Sequence, residues 1–298
     1  MPDLPDLAVQ FLGFVALCVG VGWGYWHWLH SRPALGSHNK LLLILFVGTL
    51  VGGLIGSTGW WIRDPRSFSW LLPPLASRML AAAGWSFAFA AFSALQHPVY
   101  RRVRLALWML TTYFVPLAFA IVFFHMNRFN FAAPITYVFF IIVTVITVLA
   151  LWFLFRQPRI DAGEPKDTAP ANVLTRSWLI VVAAVMAVWG AALFLTDAGP
   201  SDLIWVWPGD LLSSRLISVM LLTIAVGALY GAGFADTAQI MLCILIIYGA
   251  GVTVANLWNA LSNRPIKVSY VTVFAVIAFV SAALLIRTRR DRKEGITR

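Results

Sequence analysis

The chain has 298 residues, of which 60% are hydrophobic and only 11% are charged. Its mean hydropathy is +0.83, whereas a soluble domain carries about 25% charged residues. This composition excludes an ordinary soluble globular protein. The formal net charge of +10 comes from basic residues between apolar runs. That pattern is typical of membrane orientation signals and contacts with anionic lipid, so we expect no nucleic-acid binding.

Nine apolar runs, each close to the length of about 20 residues that crosses a bilayer, follow one another along the chain. Because lipid offers no hydrogen-bond partner to an exposed backbone, each run is predicted to be a helix. The runs are 8–28, 41–61, 76–95, 104–125, 133–155, 177–196, 212–232, 238–258 and 267–286. The third and seventh are richest in small residues. The sequence therefore predicts an all-α integral membrane protein with about nine transmembrane helices.

Two segments resemble each other at a constant offset of 137 residues. In each, a tryptophan and a Leu-rich turn precede a Ser-Arg pair at the start of an apolar helix. The matched residues are Trp70, Ser77 and Arg78 in the first segment and Trp207, Ser214 and Arg215 in the second. Self-similarity at a fixed period indicates duplication.

The duplication predicts how the chain is divided. One leading helix is followed by two four-helix repeats, which are parallel because each contains an even number of spans. The predicted segments are a leading helix and cytoplasmic loop at 1–40, a first repeat at 41–160, a polar cytoplasmic linker at 161–176, a second repeat at 177–288 and a basic cytoplasmic tail at 289–298.

The distribution of lysine and arginine predicts the orientation. With the N-terminus outside, fifteen of these residues fall on the cytoplasmic side and seven on the outer side. The positive-inside rule therefore favours an outer N-terminus and a cytoplasmic C-terminus. The basic tail and the lack of a targeting signal favour a bacterial inner membrane.

The duplicated element is expected on the outer face. There Trp70 and Trp207 would lie at headgroup depth, as aromatic belts do. Arg78 and Arg215 would lie near the outer ends of their helices, most simply as anchors to lipid headgroups. The alternative is a pair of cations that binds an anionic substrate group, because a guanidinium binds phosphate through two hydrogen bonds.

Four histidines are expected at the cytoplasmic edge, His27, His30, His38 and His97, and of these His27, His30 and His97 are the candidates for metal ligands. Clustered imidazoles can bind a transition metal, but neither a cysteine nor a carboxylate is placed to complete the ligand set. They are therefore interpreted as histidines that face water, and no metal or cofactor is predicted. The two cysteines, Cys18 and Cys243, lie in apolar runs and are expected to be buried.

The spans themselves hold packing signals and few chemical ones. No charged residue lies near the middle of any span, which disfavours ion-coupled transport. Gly48, Gly52 and Gly56, four residues apart, favour close helix packing within the chain or against a partner. Asn256 is expected to form a hydrogen bond between helices. No catalytic motif is found.

Three hypotheses of function follow. The first is a non-enzymatic subunit or assembly factor of a membrane complex, whose partners are lipids and other helical membrane proteins or a second copy. The second is a transporter or flippase for a neutral or lipid-like substrate, working between the repeats. The third is a membrane enzyme or metal-binding protein that uses the cytoplasmic histidines.

Overall fold

The computed structural model describes residues 4–31, 39–62, 72–156, 169–195, 211–264, 266 and 268–296. Of these residues, 91% are helical and none belongs to a strand. The helices are α1 (Leu4–Ser31), α2 (Lys40–Ile62), α3 (Pro74–Gln96), α4 (Tyr100–Ala120), α5 (Pro134–Arg156), α6 (Val173–Leu195), α7 (Leu211–Gly231), α8 (Ala235–Leu261) and α9 (Val268–Ile296). The predicted all-α fold is confirmed.

Eight helices, α2 to α9, are long and apolar enough to cross a membrane, judged over the described ranges. The fourth span continues beyond α4 through a π-helical turn, Ile121–His125, and a 3₁₀ turn, Met126–Arg128. A π-helical turn adds a residue to the helical turn and shifts the side chains that follow it. His125, the last residue of this turn, is buried.

The helices divide into central and peripheral ones. The buried share is 72% for the most apolar stretch of α3 and 78% for that of α7, against 17% for α5 and 28% for α9. The two most buried helices are the Ala-, Gly- and Ser-rich ones. Small side chains allow neighbouring helices to approach closely, and a helix surrounded by protein needs no large apolar side chains toward lipid.

The helix contacts follow a regular scheme. In the first half (α2–α5), α2 packs on α3 and α4 packs on α5; in the second half (α6–α9), α6 packs on α7 and α8 packs on α9. Between the halves, α3 packs on α8 and α4 packs on α7. The four central helices α3, α4, α7 and α8 therefore hold the two halves together.

In each half, the first two helices cross closely at small residues. In the first, a Cβ atom added to Gly53 of α2 would lie 2.7 Å from the carbonyl oxygen of Gly84 on α3. In the second, Ser218 Oγ on α7 donates a hydrogen bond of 2.6 Å to the carbonyl of Gly190 on α6. Glycine permits this approach because it has no side chain.

Helix α1 lies at the edge of the bundle and packs on α2. Cβ atoms added to Gly20 and Gly24 would lie 2.9 and 2.8 Å from the side chains of Val51 and Val47. Cys18, expected to be buried, is exposed, because α1 has no neighbour on its outer face among the described helices.

Two boundaries differ from those predicted. Helix α6 begins at Val173, inside the predicted linker 161–176, and α9 continues to Ile296, so most of the tail 289–298 is helical. Arginine, lysine and glutamate are good helix formers, which lets a helix continue beyond its apolar part.

Candidate functional site

Arg215 lies in the first turns of α7 and contacts the end of the fourth span. Its Nη1 atom is 2.9 Å from Nε2 of His125, and its Cζ atom is 4.5 Å from the ring centroid of Phe124. Its Nε donates a hydrogen bond of 3.5 Å to the carbonyl of Phe194. Because a guanidinium has only donors, the histidine contact needs an unprotonated Nε2.

Arg78, the matching residue of the first half, lies over Trp258 of α8, with its Cζ atom 5.3 Å from the ring centroid. Each of the two arginines therefore contacts an aromatic residue of the other half. This geometry is a cation–π interaction. Trp70 and Trp207 lie outside the described residues, so their position at headgroup depth stays a prediction.

Asn256 of α8 is fully buried. Its Nδ2 atom donates a hydrogen bond of 2.8 Å to the carbonyl of Val252 in the same helix. Its Oδ1 atom accepts none from the residues that the structure describes. The amide N–H thus bonds within α8, where a bond between helices was expected.

The histidines of α1 stack on tryptophans one turn earlier. The ring centroids are 5.5 Å apart for Trp23 and His27 and 3.9 Å apart for Trp26 and His30. His97 is exposed at the end of α3. Within the described parts of the chain, no group of three His, Cys, Asp or Glu residues is arranged to hold a metal.

The glycines Gly48, Gly52 and Gly56 form a stripe that we call the glycine ladder. A Cβ atom added to any of them would meet no other atom within 4 Å. A Cβ atom added to the neighbouring Gly53, by contrast, would point at α3. The ladder is therefore open within the chain.

A junction between the halves that the sequence analysis missed lies on the side where α4, α6 and α8 begin, here called the linker side. Arg102 of α4 donates two hydrogen bonds to Asp236 of α8, from Nε to Oδ2 at 2.7 Å and from Nη2 to Oδ1. The two side chains are 20% and 25% exposed. They lie 134 residues apart, and the sequence predicts no contact between them. The one available signal was their position, at the start of the third helix of each predicted repeat.

Phe234 anchors the same junction. Arg101 lies over it, with its Cζ atom 3.8 Å from the ring centroid. Phe234 forms an isolated bridge with Pro170, and the next residue, Ala235, donates a backbone hydrogen bond of 3.0 Å to Ala169. The end of the linker is therefore attached to the turn between α7 and α8.

Arg104 completes the junction. Its Nη1 atom donates a hydrogen bond of 2.8 Å to the hydroxyl of Tyr100, and its Cζ atom is 5.6 Å from that ring. Tyr230, at the end of α7, interacts electrostatically with Arg104 and Arg101. We call this set the arginine junction: Tyr100, Arg101, Arg102, Arg104, Tyr230, Phe234 and Asp236.

These contacts identify two kinds of surface, an open stripe of glycines on α2 and a cluster of arginines between the halves. No protein-family model, curated protein or solved structure matches the chain.

Proposed function

We propose that this helical membrane protein is a non-enzymatic subunit or assembly factor of a larger membrane complex. Its glycine ladder would receive a transmembrane helix of another membrane protein. The observation that carries the proposal is the open space in front of Gly48, Gly52 and Gly56. Glycines repeated every four residues are typical of close helix contacts in membranes, and no described residue of this chain packs against these three.

The neighbourhood of the ladder supports the same conclusion. Beside it, the large apolar side chains of Leu41 and Ile55 are 54% and 45% exposed. A groove of glycines flanked by apolar side chains fits a helix that approaches closely and packs by van der Waals contact. In lipid this contact is the main attraction between helices.

We also propose a bacterial inner membrane, with the N-terminus outside. The described basic residues are unevenly divided between the two ends of the bundle, as the positive-inside rule requires. The linker side has Lys40, Arg101, Arg102, Arg104, Arg156, Arg176, Arg287, Arg289, Arg290, Arg292 and Lys293, and the opposite side has Arg78, Arg128, Arg215 and Arg264.

The test is native mass spectrometry of the protein extracted from its source membrane with a mild detergent. The wild-type chain should be isolated with another membrane protein in fixed stoichiometry. Gly52→Leu should abolish this association, because its side chain would fill the groove, and a Cβ atom at this position meets no described atom within 4 Å. Gly22→Leu on α1 is the matched control, since a Cβ atom there also meets no atom within 4 Å.

Three outcomes would contradict the proposal. The wild-type chain could be isolated alone, it could be isolated only as a homo-oligomer, or Gly52→Leu could retain the partner as well as Gly22→Leu does. Size-exclusion chromatography of both variants would show whether each remains folded.

A transporter or flippase is the second candidate. It is favoured by the scheme of helix contacts: exchanging the halves turns the α3–α8 contact into the α7–α4 contact, and both are present. Such exchange symmetry supports the predicted parallel repeats, which often move about a central site. Against it, side chains join the halves on both sides of the membrane, at Arg102–Asp236 and at Arg78–Trp258.

Fluorescent-lipid translocation in reconstituted vesicles separates the two candidates. A variant with cysteines at positions 102 and 236, and serines in place of Cys18 and Cys243, allows the halves to be cross-linked. Translocation that stops on cross-linking would favour the transporter. Vesicles in which the wild-type chain moves no lipid would favour the subunit.

A further inference from the structure

We propose that the arginine junction binds a phosphate group, held by Arg101 and Arg104 between the two halves of the protein on the linker side. The phosphate would belong either to an anionic lipid headgroup or to a soluble phosphate compound, and both present the same chemistry to the site. A guanidinium binds phosphate with short, charge-assisted hydrogen bonds.

The charges of the junction do not balance. Among the described residues, three arginines face one carboxylate, and Asp236 already accepts hydrogen bonds from Nε and Nη2 of Arg102. This leaves an excess of two positive charges, on Arg101 and Arg104. A phosphate group carries between one and about two negative charges, depending on whether it is a diester or a monoester, which complements that excess.

The remaining donors are oriented but incompletely used. Arg101 contacts the face of Phe234 and makes no hydrogen bond to the described residues. Arg104 donates from Nη1 to Tyr100, but its Nε atom is buried and has no hydrogen-bond partner among the described residues. A buried, unsatisfied donor of a charged group is costly, and a phosphate oxygen would satisfy it.

The helix itself adds to the attraction. Tyr100, Arg101, Arg102 and Arg104 lie in the first turns of α4, where the helix dipole is positive and disfavours cations. The residue before the helix, Val99, provides no side-chain cap, so the first N–H groups of α4 have no side-chain acceptor. An anion at this position would interact favourably with the dipole and the arginines together.

The aromatic residues give the site its shape. Phe234 supports one guanidinium from the second half, and Tyr100 supports the other from the first. Tyr230 brings a hydroxyl into the electrostatic field of both arginines. All of these side chains are partly exposed, so a headgroup or a soluble anion can reach them. The ligand would contact both halves.

The test compares the wild-type chain with the double variant Arg101→Gln/Arg104→Gln, purified in nanodiscs of phosphatidylcholine with or without phosphatidylglycerol. Native mass spectrometry measures the retained lipid, and calorimetry measures binding of inorganic phosphate in phosphatidylcholine nanodiscs. We expect the affinity of the double variant for the anion to be lower by a factor of about ten or more, because two guanidinium groups are lost.

Arg156→Gln is the matched control. Arg156 also lies over an aromatic ring on the linker side, with its Cζ atom 4.4 Å from the ring centroid of Trp152. This variant loses the same kind of charge and should bind as the wild type does. Arg104→Lys, which keeps the charge but loses the fork of donors, should bind with intermediate affinity.

A stability measurement distinguishes a ligand site from a structural role. Without any anion, the double variant should be at least as thermally stable as the wild type, because removing like charges relieves repulsion at the helix start. The anion should then stabilise only the wild type and the control.

The source of the phosphate follows from which probe binds. Selective retention of phosphatidylglycerol identifies a lipid headgroup, and phosphate binding without it identifies a soluble compound. If the wild type binds neither, or if the double variant binds either as tightly as the wild type, the inference is overturned. A double variant that fails to fold is replaced by the Arg101→Gln single variant, for which the same comparison holds.

Discussion

At the end of α2 in the first half, the carbonyl of Trp60 accepts a hydrogen bond of 2.5 Å from Ser77. At the corresponding end of α6 in the second half, the carbonyl of Phe194 is approached instead by Arg215. Ser214, which matches Ser77 in sequence, is buried and has no hydrogen-bond partner among the described residues. The orphan carbonyl at a helix end needs a donor in both halves, and different side chains provide it.

The contacts between the halves differ in the same way. Arg78 lies over the ring of Trp258 in the opposite half, whereas Arg215 lies over the ring of Phe124 and also contacts the imidazole of His125. The π-helical turn at the end of the fourth span presents this histidine. The comparison shows that the positions of the helices are shared while the side chains that hold them have diverged.

The largest effect is expected at the crossing of α2 and α3. Gly53→Ala should lower the free energy of unfolding by about 1–3 kcal/mol, as overpacking does, since the added Cβ atom would lie 2.7 Å from a backbone oxygen. Gly190→Ala, at the matching crossing, should cost less, because its nearest atoms include the flexible Leu222 side chain at 3.0 Å. Unfolding measured by steric trapping in bicelles would test both.

Gly52→Ala is the control for this pair, because it is adjacent to Gly53 but meets open space. It should be neutral or stabilising by up to about 1 kcal/mol, since alanine is a better helix former than glycine. Equal costs at Gly52 and Gly53 would contradict the assigned orientation of α2.

The next effect is expected at Arg102 and Asp236. A double-mutant cycle with Arg102→Gln and Asp236→Asn should give a coupling energy of about 1–2 kcal/mol, between the values for exposed and buried pairs. A double-mutant cycle with Arg156→Gln and Asp236→Asn, which serves as the control, should give no coupling energy. A coupling near zero for Arg102 and Asp236 would show that the ion pair does not join the halves.

The smallest effect compares the two serines. Ser77→Ala should cost about 1 kcal/mol, the usual value of one hydrogen bond. Ser214→Ala should be neutral or slightly stabilising, because its buried hydroxyl has no partner to lose within the described part of the chain. Thermal unfolding in detergent would rank them, and the reverse order would overturn the contrast between the halves.

The glycines show how far sequence patterns reach. The spacing of Gly48, Gly52 and Gly56 predicts a surface that permits close approach, and the structure leaves that surface open. The intramolecular contact uses Gly53 instead, whose neighbours four residues away are Thr49 and Ser57 rather than glycines. A small-residue motif indicates which face of a helix another helix can approach closely. Which helix packs there depends on the arrangement of the other helices.

The sequence did not predict the arginine junction, for a related reason. Arg101, Arg102 and Arg104 contributed only to the charge count, although they lie in one run of sequence. Their partners Phe234 and Asp236 lie more than a hundred residues further on. A local sequence pattern cannot predict a contact between residues so far apart in the chain. The junction, and the phosphate site inferred from it, could therefore be found only in the structure.

The sequence by itself determined the helices, because an apolar run of this length has no other way to satisfy its backbone in lipid. It also identified the third and seventh spans as the richest in small residues, but their deep burial was seen only in the structure. The tertiary structure alone decided which helices touch, which glycines are covered and which charges are paired. Those outcomes depend on side chains from distant parts of the chain meeting at one place, and each is decided by packing and charge pairing rather than by hydropathy.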